Sequence, residues 1–456
     1  MNVLLSLLQK SPDYMQLLQA VEAKQAAAVS GLSQAPRSHV LAALHEHSGR
    51  PLVAVCQDDL AASRLASELG AFLGEQPPVL PSRELTLAGA IGVSRQWEQK
   101  RLRLLYALAQ GQVPVLVTSL DALLLRTMPR EVLFSASVRL RCGAEYNVDD
   151  LVARLTRAGY TRSSLVEGVG QFALRGGILD VYSPACENPL RAEFFGDELD
   201  TMGYFDPITQ RRTENVEEAV LLPVAETEAH LHPQGTAGLC EDLRAIIARQ
   251  QRRKTPNQAL IDTLQKDCEA LENETLFASA DRYMALIYPE FTTAAAYLSQ
   301  EAVVAFCDHG NLQRAEKEKA EEFGLLLDSF LTSGTLFGEL CDYYGSIEDL
   351  AAGGRLLRRL PRGPVSREPA AQKAPVVHGP AAAGLRRQSG DGGVGPEKLH
   401  GQPVWLDRPV RRPAARRNSE RPSGAERAER ASGVPAHEAA AAGADPARAG
   451  LASCGA

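Results

Sequence analysis

Hydrophobic and polar positions alternate with clear periods up to about residue 350 and lose that order afterwards. Residues 14–30 (YMQLLQAVEAKQAAAVS) space their apolar side chains by three and four and predict a helix. PLVAVC at 51–56 is a short continuous apolar run, predicted as a buried strand. Asp58 and Asp59 then open a predicted helix, DLAASRLASELGAFL. The unit recurs: WEQKRLRLLYALAQG predicts a helix, VPVLVTS at 113–119 a strand, and LDALLLRTMP a further helix. Strands alternating with helices predict a parallel α/β sheet.

The texture changes near Leu133. VLFSASVRLRCGAEY, a short helix DDLVARLTRAGY, and the runs FALRGGILDVYS and LRAEFFGDELD predict an α+β insert with antiparallel strands. It closes near FDPITQRRTENVEEAVLLP at 205–223. Helices GLCEDLRAIIARQQRR and QALIDTLQKDCEALE then lead to a strand-like AVVAF at 302–306 and a charged helix, NLQRAEKEKAEEFGLLLDSFL. The predicted organisation is an α/β lobe over 1–133, the insert over 134–223, an α/β continuation over 224–350 and a tail over 351–456.

After Ile347 there is no isoleucine, phenylalanine, tyrosine or methionine, and Trp405 is the sole aromatic. Such a segment cannot bury enough apolar surface to offset its ordering entropy, so the tail is expected to be disordered. It holds 18 Lys+Arg against 9 Asp+Glu, a formal +9. Of the chain's 49 basic and 56 acidic residues this leaves 31 and 47 before Ala351, a formal −16. Two readings of the tail compete: a basic arm that contacts nucleic acid or the acidic body, or GC-rich coding sequence read out of frame. The lack of any repeat favours the second, and the nucleotide sequence after Leu350 decides it. The tail is assigned no function.

Eight cysteines without a CxxC pair argue against a zinc ribbon or a disulfide framework and fit reduced thiols. MNVLLSLLQKSPD lacks a basic leader, and no apolar run approaches the ~20 residues that span a bilayer. A cytoplasmic protein without membrane contact is expected.

A phosphate loop needs GxxxxGK[ST], whose glycines let backbone N–H groups wrap phosphates while the lysine neutralises them. The best-placed stretch, SGLSQAPRSHVLAAL at 30–44, offers Gly31 but replaces the later Gly-Lys, and Pro36 removes a donor. No Asp-Glu pair follows a later strand to hold Mg²⁺, so no nucleotide cofactor is expected. Asp180, Glu193, Asp197, Glu198 and Asp200 do not converge as metal ligands and are expected to be solvated at strand ends. His45/His47 and His230/His232 have strand-like spacing without a third ligand and are expected at the surface. Gly176-Gly177 suits a turn or bulge needing positive φ. No catalytic residue and no metal site is assigned.

What remains is the insert's outward face. Strand alternation puts Arg191, Glu193 and Phe195 on one side and Ala192 and Phe194 on the other. Arg175, just before the double glycine, completes an arginine–aromatic set of the kind that anchors protein interfaces. The competing reading pairs Arg191 with Glu187 or Glu193 and tucks Phe195 under a loop.

The run GQFALRGGILDVYSPACENPLRAEFFGDELDTMGYFDPITQRR resembles the UvrB-homology module of bacterial transcription-repair coupling factors, the Mfd family. LPSREL (80–85), GQVPVLVTSLDALL (111–124), AGY (158–160), LLPVAE (221–226) and YMALIYPEFTTAAAYLSQEAVVAFCDH (283–309) extend the resemblance over roughly residues 10–350. The resemblance implies a degenerate RecA/UvrB-like lobe without a nucleotide site. It also implies that the insert binds UvrA, with the family's contact residues falling on Arg175, Arg191 and Phe195. Gln171 departs from the family's usual glutamate, which is expected to weaken the charge pattern of that edge. The family's polymerase-binding domain and ATP-dependent double-stranded DNA motor have no counterpart in this sequence, so RNA polymerase and DNA are expected as partners only through missing domains. Two alternatives stand beside the adaptor reading: a nucleotide-dependent helicase or UvrB itself, and nucleic-acid binding through the basic tail.

Overall fold

A computed structural model describes residues 3–87, 96–273 and 280–347, with the backbone of 376–378 and 404–406. The first lobe sets β1 (Ala27–Ser30), β2 (Leu52–Cys56), β3 (Val79–Leu80) and β4 (Val115–Ser119) among helices. β2 and β4 are buried at every position, as continuous apolar runs covered on both faces must be. The intervening helix Asp59–Leu73 starts where the Asp58 carboxylate accepts the Ala61 N–H at 2.7 Å and ends at Gly74, whose φ is 85°. Its buried residues Ala62, Leu65, Ala66 and Leu69 form one stripe against the sheet.

The insert follows with β5 (Val138–Arg141), β6 (Thr161–Arg162), β7 (Gln171–Arg175), β8 (Ile178–Val181), β9 (Leu190–Phe195), β10 (Glu198–Phe205), β11 (Arg212–Asn215) and β12 (Glu218–Leu221). β5 and β12 pair as an antiparallel ribbon. The others form a sheet in the order β11-β10-β9-β8-β7-β6, antiparallel except for the short β6–β7 pair. One face packs Phe172, Leu179, Leu190, Ala192 and Leu199 with Leu151 and Leu155 of the helix Val148–Arg157. The opposite face carries a small cluster of its own, Val166, Ala173 and Phe205 with Tyr182.

β13 (Val303–Cys307) returns to the first lobe and pairs in parallel with β2. The central sheet is completed by β14 (Val376–His378) and β15 (Val404–Leu406), giving the order β14-β1-β15-β13-β2-β4-β3 with every pair parallel. The expected structureless tail is thus not what is found at these two segments; the rest of 351–456 lies outside the described residues.

Two other expectations are corrected. The helix predicted over 14–30 spans Pro12–Glu22, the backbone turns at Lys24 with φ 54°, and Ala27–Ser30 is a strand. Three alanines favour a helix locally, but ladder bonds on both sides of β1 override that propensity. The paired histidines are not strand residues. His45 and His47 lie on the helix Gln34–Ser48, where Tyr14 Oη meets His47 Nδ1 at 2.6 Å, and His232 is buried with Nε2 3.2 Å from Asp242.

The segments LPSREL and LLPVAE meet in a buried ionic network that joins the two parts of the lobe. Arg101 Nε donates to both Glu226 oxygens at 3.1 and 3.0 Å, and its Nη1 donates to the carbonyls of Pro81 and Ala122. Thr127 donates to Glu226, and Arg83 pairs with Asp281, while Glu226 N–H donates to Glu98 at 2.8 Å. Burial pushes the Glu226 carboxyl up, but Arg101 and Arg83 outweigh it and hold it below the usual range. Tyr160 of AGY is buried and donates to the Leu222 carbonyl at 2.6 Å, anchoring the insert to the same strand exit.

Candidate functional site: the outer face of the insert

Two tight hairpins shape this face. β7 and β8 are joined by Gly176-Gly177 with Arg175 opposite Ile178; Gly176 has φ 61°. Gly177 is required for a different reason: a Cβ there would sit 2.6 Å from the Phe194 carbonyl oxygen. β9 and β10 are joined by Gly196-Asp197 with Phe195 opposite Glu198, and Gly196 has φ 66°. The two-residue turns set the β7–β8 and β9–β10 pairings at the hairpin ends; the β9–β10 register shifts between Leu199 and Thr201, and β8 reaches β9 through residues 182–189. Asp180 stands opposite Arg191, and Ile178 opposite Glu193.

The alternation expected for β9 holds. Leu190 and Ala192 are buried and Phe194 is partly so, its ring edge-on to Tyr146, while Phe195 is 84% exposed. The alternative that tucks Phe195 under a loop is therefore excluded. Ile178 and Ile208 add exposed apolar surface, Ile208 at 90%.

The arginines are organised by a residue that sequence reasoning treated as solvated. Asp180 is fully buried, and its carboxylate serves both guanidinium groups. Arg191 Nε donates to Oδ1 at 2.6 Å and Nη2 to Oδ2 at 3.0 Å, a fork-to-fork pair. Arg175 Nη2 donates to Oδ2 at 2.6 Å with half of its side chain exposed. Neither Glu187 nor Glu193 is the partner of Arg191; Glu193 lies 3.7 Å from Arg212 instead. The guanidinium of Arg191 also lies 4.4 Å from the centre of the buried Phe205 ring and reaches Gln210 through two 3.3 Å bonds. Hydrogen bonding to Asp180 raises the Arg191 pKa further, so its charge is permanent.

Arg191 and Phe195 lie four residues apart on one strand face, about 13 Å along the strand. The face thus presents a fixed positive end and a bare aromatic end rather than one compact pocket. Asp197, Glu198 and Asp200 are exposed, and among the described residues no group of His, Cys, Asp or Glu could hold a metal. Gln171 does not act on the edge's charge: its Oε1 accepts the N–H groups of Glu167 and Gly168 at 2.9 and 3.0 Å, pinning the loop that lays Val166 over Phe205.

The stretch tested as a phosphate loop follows β1 and enters the helix Gln34–Ser48 after three residues, Gly31 to Ser33. Arg37, the nearest cation to the missing lysine, is buried within the lobe. No helix of the described residues is long and apolar enough to cross a membrane, and their cysteines are all free.

Residues 138–226 match the UvrB interaction domain family. The chain is similar to the transcription-repair-coupling factor of Myxococcus xanthus, 38% identical over 221 residues, covering 47% of this chain and 18% of that protein. It is also similar to those of Staphylococcus aureus (strain USA300), 27% identical over 362 residues, and Bacillus subtilis (strain 168), 23% over 350. These cover 77% and 75% of this chain and 30% and 29% of the relatives, so the chain spans less than a third of the length of the proteins it matches. Residues 138–226 are thus similar to the UvrB interaction domain, and most of the described chain is similar to transcription-repair-coupling factors.

Proposed function

We propose that the chain is a docking adaptor in transcription-coupled nucleotide excision repair, and that its insert, residues 134–223, binds the damage-recognition protein UvrA. Phe195 is the aromatic anchor, and Arg191 and Arg175, set by Asp180, supply the directed positive charge. The observation that carries this reading is the exposure of Phe195 at the tip of the β9–β10 hairpin, on the strand face that also carries the Asp180-clamped Arg191. A large ring left in water on a strand paired on both sides is suited to a partner's pocket.

The lobe acts as a scaffold that takes no nucleotide. Its three-residue loop and inward Arg37 favour this, as does the use of LPSREL and LLPVAE in a buried structural network. In this reading the chain works in the bacterial cytoplasm and recruits rather than catalyses; RNA polymerase and duplex DNA are engaged by other parts of such factors. Titration of the full chain with purified UvrA tests the proposal. Saturable binding that weakens strongly in Phe195→Ala supports it, and absence of binding to the unaltered chain rejects it.

A further inference from the structure

β1 and β13 lie two places apart in the central sheet and form no ladder with each other. Residues 404–406 stand between them and pair with both. Ala27, Ala28 and Val29 face Val404, Trp405 and Leu406 on one side, and Ala305, Phe306 and Cys307 face them on the other. Neighbouring strands are about 4.8 Å apart, so the separation of β1 from β13 is one strand wide. β13 has β2 as a second partner, whereas both ladders of β1 are supplied by segments beyond residue 350.

β1 is nonetheless held in place by side-chain packing. Ala27 and Val29 are buried in a cluster with Tyr14, Leu17, Val21 and Leu41 from the helices Pro12–Glu22 and Gln34–Ser48. Packing positions the strand; its main chain still needs hydrogen-bond partners, because buried N–H and C=O groups left without them are costly.

We propose that the lobe contains a strand-acceptor slot between β1 and β13, filled in this chain by residues 404–406 as a donated parallel strand. Recognition is through the main chain, as in other strand additions, so it depends on an extended backbone with free N–H groups. A three-residue donor is shorter than the usual five or six and leaves the slot by local opening, without unfolding the lobe. The slot is independent of the docking face of the insert.

Hydrogen exchange of the full chain, followed by mass spectrometry, tests this. In the unaltered chain the amides of 404–406 are expected to exchange well below the rate of an unstructured peptide. Trp405→Pro removes a ladder donor from a strand that has neighbours on both sides, where proline does not fit. It is expected to speed exchange at 27–30 at least tenfold while leaving 53–56 and 190–195 unchanged. An excess of synthetic peptide with the sequence of residues 402–408 is expected to slow 27–30 again in that variant. Unstructured-peptide rates at 404–406 overturn the proposal without any variant, and so does equal exchange at 27–30 in the two chains, or an acceleration that the peptide leaves untouched.

Discussion

Phe195 and Arg191 share a strand face but not an energetic role. Phe195 is 84% exposed, so Phe195→Ala is expected to change unfolding free energy by no more than about 0.5 kcal/mol in a urea titration. Arg191 neutralises a buried carboxylate, and Arg191→Ala leaves Asp180 with Arg175 alone. A loss of about 1–3 kcal/mol is expected there, measured the same way. Any fall in partner binding on removing Arg191 therefore mixes a lost contact with a loosened fold, while Phe195→Ala isolates the contact. Asp180→Asn keeps the shape but removes the charge; it is expected to lower stability and to weaken docking although Asp180 itself touches no partner. The period of two was enough to place Arg191, Glu193 and Phe195 from sequence. Asp180 was missed because each strand was read alone. Asp180 meets Arg191 across the β8–β9 ladder, whose connection runs through residues 182–189, so no tight turn in the sequence gives that register.

At the scale of elements, the docking face rests on two pinned connections. The loop before β7 is held by Gln171, and the turn after β10 by Asp206, whose Oδ1 accepts the N–H groups of Ile208 and Thr209 at 3.0 and 2.6 Å. The Thr209 N–H is the main reason the Asp206 carboxyl sits below its usual range. A carboxyl depressed on folding stabilises above its unfolded value near pH 4 and loses that contribution as pH falls through the lower folded value. Asp206→Ala should therefore lower the urea midpoint at pH 6, and the difference from the unaltered chain should shrink as pH falls through the folded value. A difference that does not shrink on acidification would contradict this role for the turn. Buried strands such as β2 and β4 were legible because nothing but a covered strand reads as an unbroken apolar run of that length. β1 was not, since its alanine-rich sequence favours a helix and only distant segments, beyond residue 350, give it partners.

For the molecule as a whole, sequence charge separates an acidic body from a basic tail, and the fold separates an α/β lobe from the insert proposed to dock UvrA. The lobe depends on its buried ion network. Glu226→Gln removes the charge that Arg101 and Arg83 share and is expected to cost about 3–5 kcal/mol. Glu226 and Asp281 are both held below the usual carboxylate range, so their contribution disappears as the solution is acidified through those folded values; Glu98, pushed up by burial, works in the opposite sense. LPSREL and LLPVAE could be recognised by resemblance but not understood from sequence, because their partners lie more than a hundred residues apart. The central claim is that the insert grips UvrA through Phe195, and isothermal titration of the full chain with UvrA tests it most directly. A loss of about 2 kcal/mol, roughly 30-fold in Kd, is expected for Phe195→Ala with an unchanged urea midpoint. An unchanged Kd in that variant would contradict the account.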